Sequence, residues 1–384
     1  MPSAILALNA GSSSLKFGLY EAGSSGVPRS MARGAVGLGN VRSLTAKGPD
    51  GKTLLEKELP GRGLEDAIGE LLRWADSWTG QGLVAAGHRI VHGGSRFSEP
   101  VPLTPQVIDE VEKLTPLAPL HQPRSIAPIR ALTALRPLLP QVGCFDTAFH
   151  GTIEATVRRY EAMGIQSYGF HGLSYEYIAS RLRQASPELA AGRVIVAHLG
   201  NGASLCALHD GNSVDTTMGF SALDGLVMGT RCGAIDPGVL LYLLQEEGFS
   251  PAELQHVLYE ESGLLGVSGI SSDVRTLSES RDPRAREALE LFAFRAAREA
   301  AALASTMGGL DGLVFTAGIG EHSASIRSAI CSRLTWLGAR IDHGANETHA
   351  ERISAVDSPV DVYVIPTDEE VVIARHVLSA VGKV

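Results

Sequence analysis

The sequence predicts an α/β protein. Short apolar runs typical of buried strands alternate with segments whose apolar residues recur at helical spacing. A strand–turn segment near the start of the chain also recurs about half a chain length later. With 384 residues, the chain is long enough for two or three domains.

Each predicted element follows from a local pattern. Helical spacing of apolar residues predicts helices over Gly63–Trp78 and Arg284–Met307, and Asp282-Pro283 supplies a cap and a first-turn proline for the second. Runs of apolar residues predict buried strands at Ile5–Leu8, Val142–Phe145, Val194–Ala197, Leu313–Thr316 and Val360–Ile365.

The repeated segment suggests two related halves. Ile5–Leu15 and Ile195–Leu205 align at a constant offset of 190, and both run from an apolar strand through a turn of small residues into Ser-Leu. Duplication and chance similarity between two strand–turn segments both fit this pair of segments.

Composition limits the classes of partner. The net charge of −9 argues against a protein that coats nucleic acid or a membrane surface, although not against a local anion site. Four cysteines without a C-x-x-C pair fit a reduced cytosolic compartment. We expect neither a signal peptide nor a membrane span, because the apolar stretches are shorter than 18 residues. The 43 glycines cluster after apolar runs, where backbone turns tightly or approaches a ligand.

One glycine-rich stretch imitates a phosphate-binding loop. Ala46–Thr53 ends in Gly-Lys-Thr, but a phosphate-binding loop needs a buried strand before it and a helix after it. Pro49-Asp50-Gly51 is typical turn chemistry, so we predict a surface hairpin.

The turn Gly11–Ser14 is a better candidate phosphate site. Small residues expose backbone N–H groups, Ser12 and its neighbours add hydroxyls, and Lys16 adds charge. Asn9 can hold a metal directly or through water. A plain hairpin turn is the alternative, but the matching turn Gly200–Gly202 favours two turns that clamp a polyphosphate.

Arg89 is a candidate ligand for a small carboxylate. Strand alternation puts Arg89 and Val91 on one face and His88, Ile90 and His92 on the other. A guanidinium beside an apolar side chain suits a carboxylate with an alkyl tail, although a salt-bridged arginine at a strand edge is the alternative. We interpret His88 and His92 as structural.

The remaining candidates are weak one by one. Gly318-Ile319-Gly320 follows a strand and permits a flat ligand to approach. Thr367–Glu370 follows another strand, where carboxylates can hold Mg²⁺. Taken singly, Asp146, His171, Arg231 and Asp273 fit structural roles better than catalytic ones.

Together these segments resemble the acetokinase family, in the family's order and over nearly the whole chain. The matching stretches are Asn9–Lys16, Gly87–Gly94, Ala118–His121, Phe145–His150, Tyr168–Gly172, Ala197–Ser204, Met228–Pro237, Gly266–Arg275, Phe315–Glu321 and Pro366–Glu370. The resemblance implies two duplicated ribonuclease H-like domains of the actin-like ATPase fold around a central nucleotide cleft. It also implies a homodimer, Mg²⁺ (with Mn²⁺ as a substitute) and ATP or ADP. The expected domains are 1–145 with a returning helix at 371–384, and 146–370.

The resemblance also implies residue roles. Asn9 and Glu369 match metal positions, and Arg89 matches the substrate-binding arginine. His171 and Arg231 match the residues that stabilise the transferring phosphoryl group, and Asp146 matches the active-site acid/base. The acyl pocket is matched by Val91, Leu120 and Phe170. The nucleotide positions are matched by Ser12, Lys16, His198, Leu199, Gly200, Asn201, Gly202, Asp273, Val274, Arg275, Gly318, Ile319, Gly320, Glu321 and His322.

Three positions depart from the family pattern. His322 replaces a common asparagine, which puts the nucleotide preference in doubt. Asp368 replaces a common asparagine and is expected to add negative charge beside the metal carboxylate. Ala222 aligns with a proline of the acyl pocket, which puts strict selectivity for acetate over propionate in doubt.

The implied reaction is reversible, Mg²⁺-dependent transfer of the ATP γ-phosphoryl group to acetate in the cytoplasm. A carboxylate is already ionised near pH 7, so no general base is needed. We therefore expect Asp146 to hold a metal-bound water or to orient an arginine. The alternatives are a propionate- or butyrate-preferring kinase and, in another class, an actin-like or chaperone-like ATPase.

Overall fold

Two separate β-sheets carry the fold. A computed structural model describes residues 4–11, 14–22, 27–37, 43–59, 63–80, 82–154 and 165–381. The chain divides into two compact units, Met1–Phe149 with Asp368–Val384, and His150–Thr367. Within the described residues, every helix is too short or too polar to cross a lipid bilayer.

The first unit is built on an eight-stranded sheet with the order β5-β4-β3-β2-β1-β6-β8-β7. β1 is antiparallel to β2 and parallel to β6, and β6 is parallel to β8. The strands are β1 (Ala4–Ala10), β2 (Ser14–Glu21), β3 (Arg29–Gly37), β4 (Ser43–Lys47), β5 (Thr53–Glu58), β6 (Leu83–Ile90), β7 (Val101–Pro102) and β8 (Gln141–Phe145).

Helices cover this sheet. The predicted helix near Gly63 forms as α1, capped by Gly63 and ended by Gly80 at φ +69°, and it buries Ile68 and Leu71 in the core that includes Phe17. The helices of the unit are α1 (Leu64–Thr79), α2 (Pro105–Glu112), α3 (Gln122–Leu135) and α14 (Glu369–Val381), with a 3₁₀ turn at Thr115–Leu117.

α14 returns from the far end of the chain to the first sheet. Its buried side chains include Ile373 and Val377. A Cβ at position 87, in β6, would lie 2.5 Å from Cγ2 of both residues. Gly87 is therefore the residue that lets the helix lie directly on the strand.

The second unit has a five-stranded sheet with the order β11-β10-β9-β12-β13. Its strands are β9 (Arg193–Leu199), β10 (Ala203–His209), β11 (Asn212–Thr216), β12 (Gly312–Thr316) and β13 (Asp361–Val364). Its helices are α4 (Gly172–Ala185), α5 (Pro187–Ala190), α6 (Pro237–Gln245), α7 (Pro251–His256), α8 (Gly263–Ser268), α9 (Val274–Glu279), α10 (Pro283–Thr306), α11 (Ala317–His322), α12 (Ala324–Arg333) and α13 (His343–Glu347). A π-helical turn spans Val257–Glu261, and 3₁₀ turns span Ala148–Thr152 and Thr335–Leu337.

The two sheets share one topology, as a duplication predicts. The order β3-β2-β1-β6-β8 repeats as β11-β10-β9-β12-β13, with two antiparallel pairs followed by two parallel pairs in each. The constant offset of 190 is wrong, however. Ala10 pairs with Leu15, and Leu199 pairs with Ala203, so the first turn is one residue longer.

The compact units differ from the predicted division in two short stretches. Residues 146–149 and 368–370 belong to the first unit. The Asp146 N–H donates to the Ile90 carbonyl at 3.0 Å, and Glu369 begins α14. Both stretches therefore follow the first sheet.

The stretch that imitates a phosphate-binding loop is a hairpin, as predicted. It joins the antiparallel strands β4 and β5, the Gly48 N–H donates to the Lys52 carbonyl at 2.8 Å, and Gly51 has φ +78°. A left-handed residue at this point requires glycine, and a strand rather than a helix follows.

Candidate active site

In the first unit, predicted site residues meet at one edge of the sheet. β1, β6 and β8 are parallel, so their carboxyl ends lie at the same edge, which is where α/β sheets bind ligands. Asn9 lies near the end of β1, Arg89 near the end of β6, and Asp146 directly after β8. Together with Glu369 at the start of α14, they form what we call the Arg89 group.

Arg89 and Asp146 form a buried ion pair. Arg89 Nε donates to both Asp146 oxygens at 3.0 Å, and Nη2 donates to Oδ2 at 2.6 Å. Burial raises the pKa of Asp146, and the Arg89 charge opposes that rise. Burial would lower the pKa of Arg89, but the carboxylates of Asp146 and Glu369 raise it. Of the two roles expected for Asp146, this geometry fits the orientation of an arginine.

Asn9 connects Arg89 to the start of α14. Its Oδ1 accepts from Arg89 Nη1 at 3.1 Å, and its Nδ2 donates to Glu369 Oε2 at 2.8 Å and to Glu370 Oε1 at 2.9 Å. Burial and the nearby charge of Glu369 raise the pKa of Glu370. Asn9 and Glu369, the two residues matched to metal positions, thus lie together, and Glu370, from the acidic stretch Thr367–Glu370, lies beside them.

The donors around Asn9 suit Mg²⁺. Mg²⁺ in phosphoryl-transfer sites takes one or two carboxylates, phosphate oxygens and waters, all hard oxygen ligands. Glu369 and Glu370 supply carboxylates side by side, and a cation would relieve the repulsion that raises the pKa of Glu370. No set of three or more His, Cys, Asp or Glu side chains in the described ranges forms a closed protein cage for a metal, and Mg²⁺ does not need one.

Asp368 adds negative charge beside Glu369 and Glu370, as expected, since its charge helps to raise the pKa of Glu370, but it is also paired with an arginine. Its Oδ2 lies 2.5 Å from Nη2 of Arg33, and its Oδ1 accepts from Tyr20 at 3.4 Å and from the Val371 N–H at 3.1 Å. Arg33 lies on β3, more than 300 residues away in sequence. The three consecutive acidic residues after a strand indicate in the sequence that negative charge gathers here. No local pattern indicates that Arg33 pairs with one of them.

Strand alternation explains only part of the acyl prediction. β6 ends at Ile90, so Val91 lies beyond the strand and alternation does not set its direction. Val91 is buried and Leu120 half-buried in the first unit, whereas Phe170 and Ala222 are buried in the second. His92 accepts the Gly94 N–H at 2.8 Å through Nδ1, which fits its structural interpretation.

The first glycine turn is only partly described. Ser12 lies outside the described residues. Lys16 is the exposed strand partner of Asn9, and its charge lowers the pKa of Glu370. Lys16 therefore lies beside the predicted metal position, as a phosphate-contacting lysine requires.

In the second unit, His171 is held in an unusual conformation. It caps α4 with φ +57° and ψ +23°, a left-handed geometry rare outside glycine. Its Nδ1 lies 2.7 Å from Ser204 Oγ, which is 2.5 Å from the Tyr175 hydroxyl. The His198 ring stacks on His171 with centroids 4.2 Å apart, and His198 Nδ1 lies 2.8 Å from Ser174 Oγ.

Gly202 brings the second set of predicted residues together. A Cβ at this position would lie 2.8 Å from Nη2 of Arg231 and 3.4 Å from Nε2 of His171. The turn therefore approaches both side chains closely only because it lacks a side chain. We call His171, His198, Gly202 and Arg231 the Arg231 group.

Arg231 makes no ion pair within the described ranges, and the charges of Tyr259 and Glu260 raise its pKa less than burial lowers it. Its Nη1 donates to the Ala222 carbonyl at 2.8 Å, and burial lowers its pKa. No carboxylate oxygen of the described chain lies within 4 Å of its guanidinium. Because a buried, unpaired charge is costly, this arrangement is typical of a site that receives an anion.

The other predicted nucleotide segments surround the same sheet edge or cap nearby helices. Asn201 packs against Gly229, where a Cβ would lie 2.3 Å from Asn201 Oδ1. Asp273 caps α9 by accepting the Thr276 N–H at 2.8 Å, with Val274 buried and Arg275 exposed. The backbone of His198–Gly202 leaves the carboxyl end of β9.

The glycine segment after β12 is the short helix α11. Gly318 has open space where a Cβ would be, so a ligand can approach its backbone, while Glu321 accepts the Thr367 N–H at 3.1 Å. Ile319 and Gly320 complete the turn, and His322 is mostly exposed. The sequence analysis missed Arg327, which is fully buried and donates to the carbonyls of Gly320 and Glu321 at 2.9 Å.

Comparisons with known proteins agree with the resemblance. Residues 4–375 match the sequence model of the acetokinase family. The chain is 51% identical to an acetate kinase of Rhodopseudomonas palustris over 390 residues, which cover 98% of each chain. An acetate kinase structure from Porphyromonas gingivalis is 36% identical with a TM-score of 0.84, over 99% of this chain and 100% of that one. A propionate kinase structure from Francisella tularensis is 37% identical with a TM-score of 0.88, over 97% and 98%.

Proposed function

The chain belongs to the acetokinase family, and we propose that the Arg89 group and the Arg231 group carry out the phosphoryl transfer of an acetate kinase. The reaction moves the γ-phosphoryl group of ATP to acetate and gives acetyl phosphate and ADP. Such transfers ask a protein chiefly for positioning and for charge neutralisation. We assign each residue its role from the hydrogen-bond donors and charges that its other contacts leave unused.

The observation that carries the proposal is the unpaired guanidinium of Arg231 beside His171 and Gly202. No carboxylate of the described residues pairs with its charge, and its Nη2 and His171 Nε2 both lie next to Gly202, which has no side chain. We assign both side chains to the equatorial oxygens of the transferring phosphoryl group, where charge is spread in the transition state. The glycine turn and α11 take the nucleotide.

Arg89 binds the acetate carboxylate. A guanidinium has five N–H donors, of which Asp146 and Asn9 engage three, so two remain for a carboxylate. Asp146 acts by fixing the plane of the guanidinium. The acetate oxygen attacks the γ-phosphorus as the bond to the ADP oxygen breaks, and no proton has to be removed because acetate is already ionised.

Asn9 and Glu369, with Glu370 beside them, would hold Mg²⁺ or Mn²⁺. A metal held by these side chains would supply positive charge to balance that of the phosphates. Asn9 Nδ2 donates to both glutamates, and Asn9 Oδ1 accepts from Arg89. The same amide therefore links the metal carboxylates to the acetate-binding arginine.

The proposed enzyme is a homodimer of the cytoplasm. Helix α6 and the residues just before it expose an apolar surface. Its side chains include Ile235, Val239, Leu241, Tyr242 and Leu244. Exposed apolar patches of this kind mark protein–protein contacts, and we assign this one to a second copy of the chain. The thiol form, which a reducing cytoplasm maintains, is the state of Cys144, Cys206, Cys232 and Cys331.

The dimer is tested by sedimentation. Leu241→Glu, on the apolar face, should convert the dimer to monomer. Val356→Glu, at a fully exposed site outside that face, is the matched control and should leave the dimer intact. A wild-type chain that sediments as a monomer would contradict the assignment.

The reaction is tested by trapping its product. The protein is incubated with Mg-ATP and acetate, propionate or butyrate, and acyl phosphate is converted to the hydroxamate with hydroxylamine. We expect the highest kcat/KM with acetate. ADP release without hydroxamate would instead indicate an ATPase of the actin or chaperone type, and a higher kcat/KM with a longer acid would indicate a propionate- or butyrate-preferring kinase.

A further inference from the structure

His150 is a fully buried histidine that the proposed reaction does not use directly. It follows β8 in the 3₁₀ turn Ala148–Thr152, and only 2% of it is exposed. Its Nε2 lies 2.9 Å from the Phe170 carbonyl, and its Nδ1 lies 2.8 Å from Ser213 Oγ. Both ring nitrogens therefore face named polar atoms of the same unit.

These contacts determine the tautomer. A carbonyl oxygen only accepts, so Nε2 must carry the hydrogen and donate it to Phe170. In the neutral ring Nδ1 then accepts from the Ser213 hydroxyl, and Cys206 Sγ lies 3.3 Å from the same hydroxyl. Burial lowers the pKa of His150 to about 4, which keeps the ring neutral near pH 7.

His150 also packs against the backbone of the loop that leads into α4. A Cβ on Gly169 would lie 2.5 Å from its Cγ and Cδ2 atoms, so the ring lies against the glycine itself. Gly169 has φ +80°, and the Tyr168 and Gly169 N–H groups both donate to the Gly219 carbonyl, at 3.0 and 3.2 Å. The loop is thus gripped from two sides immediately before His171.

His171 needs such support because its own conformation is unfavourable. A left-handed non-glycine residue carries strain of order 1 kcal/mol and persists only when its surroundings enforce it. Its Nε2 must nevertheless face Gly202 and Arg231 to serve the phosphoryl group. A shift of about 1 Å at such a position is enough to lower a rate by about 10²-fold.

We propose that His150 is a positioning residue for phosphoryl transfer, which holds the Phe170 carbonyl through Nε2–H and so maintains the left-handed backbone of His171. The inference rests on the role of His171 in the proposed function. Ser213 contributes by holding the tautomer that donates to Phe170.

Two substitutions at one position separate this role from simple packing. In His150→Gln the amide reaches the place of Nε2 and keeps a donor for Phe170. In His150→Asn the amide reaches only the place of Nδ1 and loses that donor. We expect kcat of acetyl phosphate formation to fall about 10²-fold in His150→Asn and to be largely restored in His150→Gln, with KM for ATP unchanged in both. His209→Asn, at an exposed position, is the control and should keep wild-type kcat.

A double-mutant cycle tests the route of the effect. If His150 acts through His171, His150→Asn combined with His171→Asn should lose no more activity than His171→Asn alone. Multiplied losses, or an equal loss in His150→Asn and His150→Gln, would overturn the proposal. If circular dichroism shows that His150→Asn does not fold, the cycle is run with Ser213→Ala instead. Its smaller loss of kcat should also vanish in the His171→Asn background.

The same cycle separates the proposed role of His171 from the positioning role of His150. Full activity in His171→Asn would overturn the proposed role of His171 and this inference with it. A strongly reduced but measurable activity in His171→Asn, together with multiplied losses, would overturn only the inference about His150.

Discussion

Replacement of Asp146 by asparagine tests how Arg89, the arginine that we propose binds acetate, is held in position. Asp146→Asn keeps the shape of the side chain but turns one carboxylate oxygen into an N–H₂ donor. In the structure both oxygens accept from Arg89, at 2.6 and 3.0 Å, so one donor of the variant must face another donor. The Arg89 guanidinium then loses one of its charged hydrogen bonds to residue 146. Its plane is also no longer fixed by contacts to two oxygens.

The magnitude follows from that one lost hydrogen bond. A hydrogen bond between charged groups contributes about 1.5–3 kcal/mol, which is about a 10- to 100-fold effect on rate. We expect kcat/KM for acetate to fall by that factor. Arg89 keeps Glu369 at 3.7 Å and the amide of Asn9, so its charge is not stranded and the fold should survive. KM for ATP and the Mg²⁺ requirement should change little.

The assay is hydroxamate formation with acetate, ATP and Mg²⁺ varied separately. Asp311→Asn is the matched control, because Asp311 accepts a similar two-point contact from Arg193, at 2.9 and 2.6 Å, at the opposite, amino-terminal end of β9. It should leave kcat/KM for acetate unchanged. The reasoning would be refuted if Asp146→Asn raised KM for ATP or the Mg²⁺ requirement while kcat/KM for acetate stayed normal.

Three further predictions follow from other groups. Arg231→Ala should lower kcat about 10³-fold with little loss of stability in thermal unfolding, because Arg231 forms no ion pair with the residues that the structure describes; large destabilisation would contradict its assignment to an anion. Glu369→Gln should raise the Mg²⁺ concentration for half-maximal activity at least about 10-fold, measured by metal titration, and an unchanged titration would remove Glu369 from the metal. Burial lowers the pKa of His88, His92 and His150 to about 4, below the ordinary value near 6.5. The unfolded chain therefore binds more protons below pH 6.5, and urea unfolding should show stability falling from pH 6.5 toward 4 by up to about 1.4 kcal/mol per pH unit for each histidine; equal stability at pH 7 and pH 5 would contradict this.

Local patterns predicted the elements well because their causes are local. Apolar runs became the strands of both sheets, and Asp282-Pro283 began α10, with the Asp282 side chain accepting the Arg284 N–H at 2.9 Å. The turn lengths escaped the comparison of the two halves because small residues align with one another at several offsets. Only the pairing register shows that the first turn has an extra residue.

Candidate site residues were predictable where one strand end carries an unusual side chain, as with Arg89 and Asp146. Their partners were not, because 57 positions separate these two residues and 360 separate Asn9 from Glu369. The pairing of Arg33 with Asp368 and the left-handed backbone at His171 likewise depend on tertiary structure. The type of residue indicated which side chains are candidates for the site. The fold determines which of their hydrogen-bond donors remain available for a ligand.

The lodging of α14 on Gly87 has a consequence for biosynthesis. The ribosome makes β6 early, but the helix that covers it emerges only after the entire second unit has been translated. The first sheet is therefore synthesised early, and its strand β6 stays uncovered by α14 until the second unit has been translated. Glu369 and Glu370 arrive on the same helix, so the carboxylates that we propose to hold the metal are synthesised only when the chain is nearly complete.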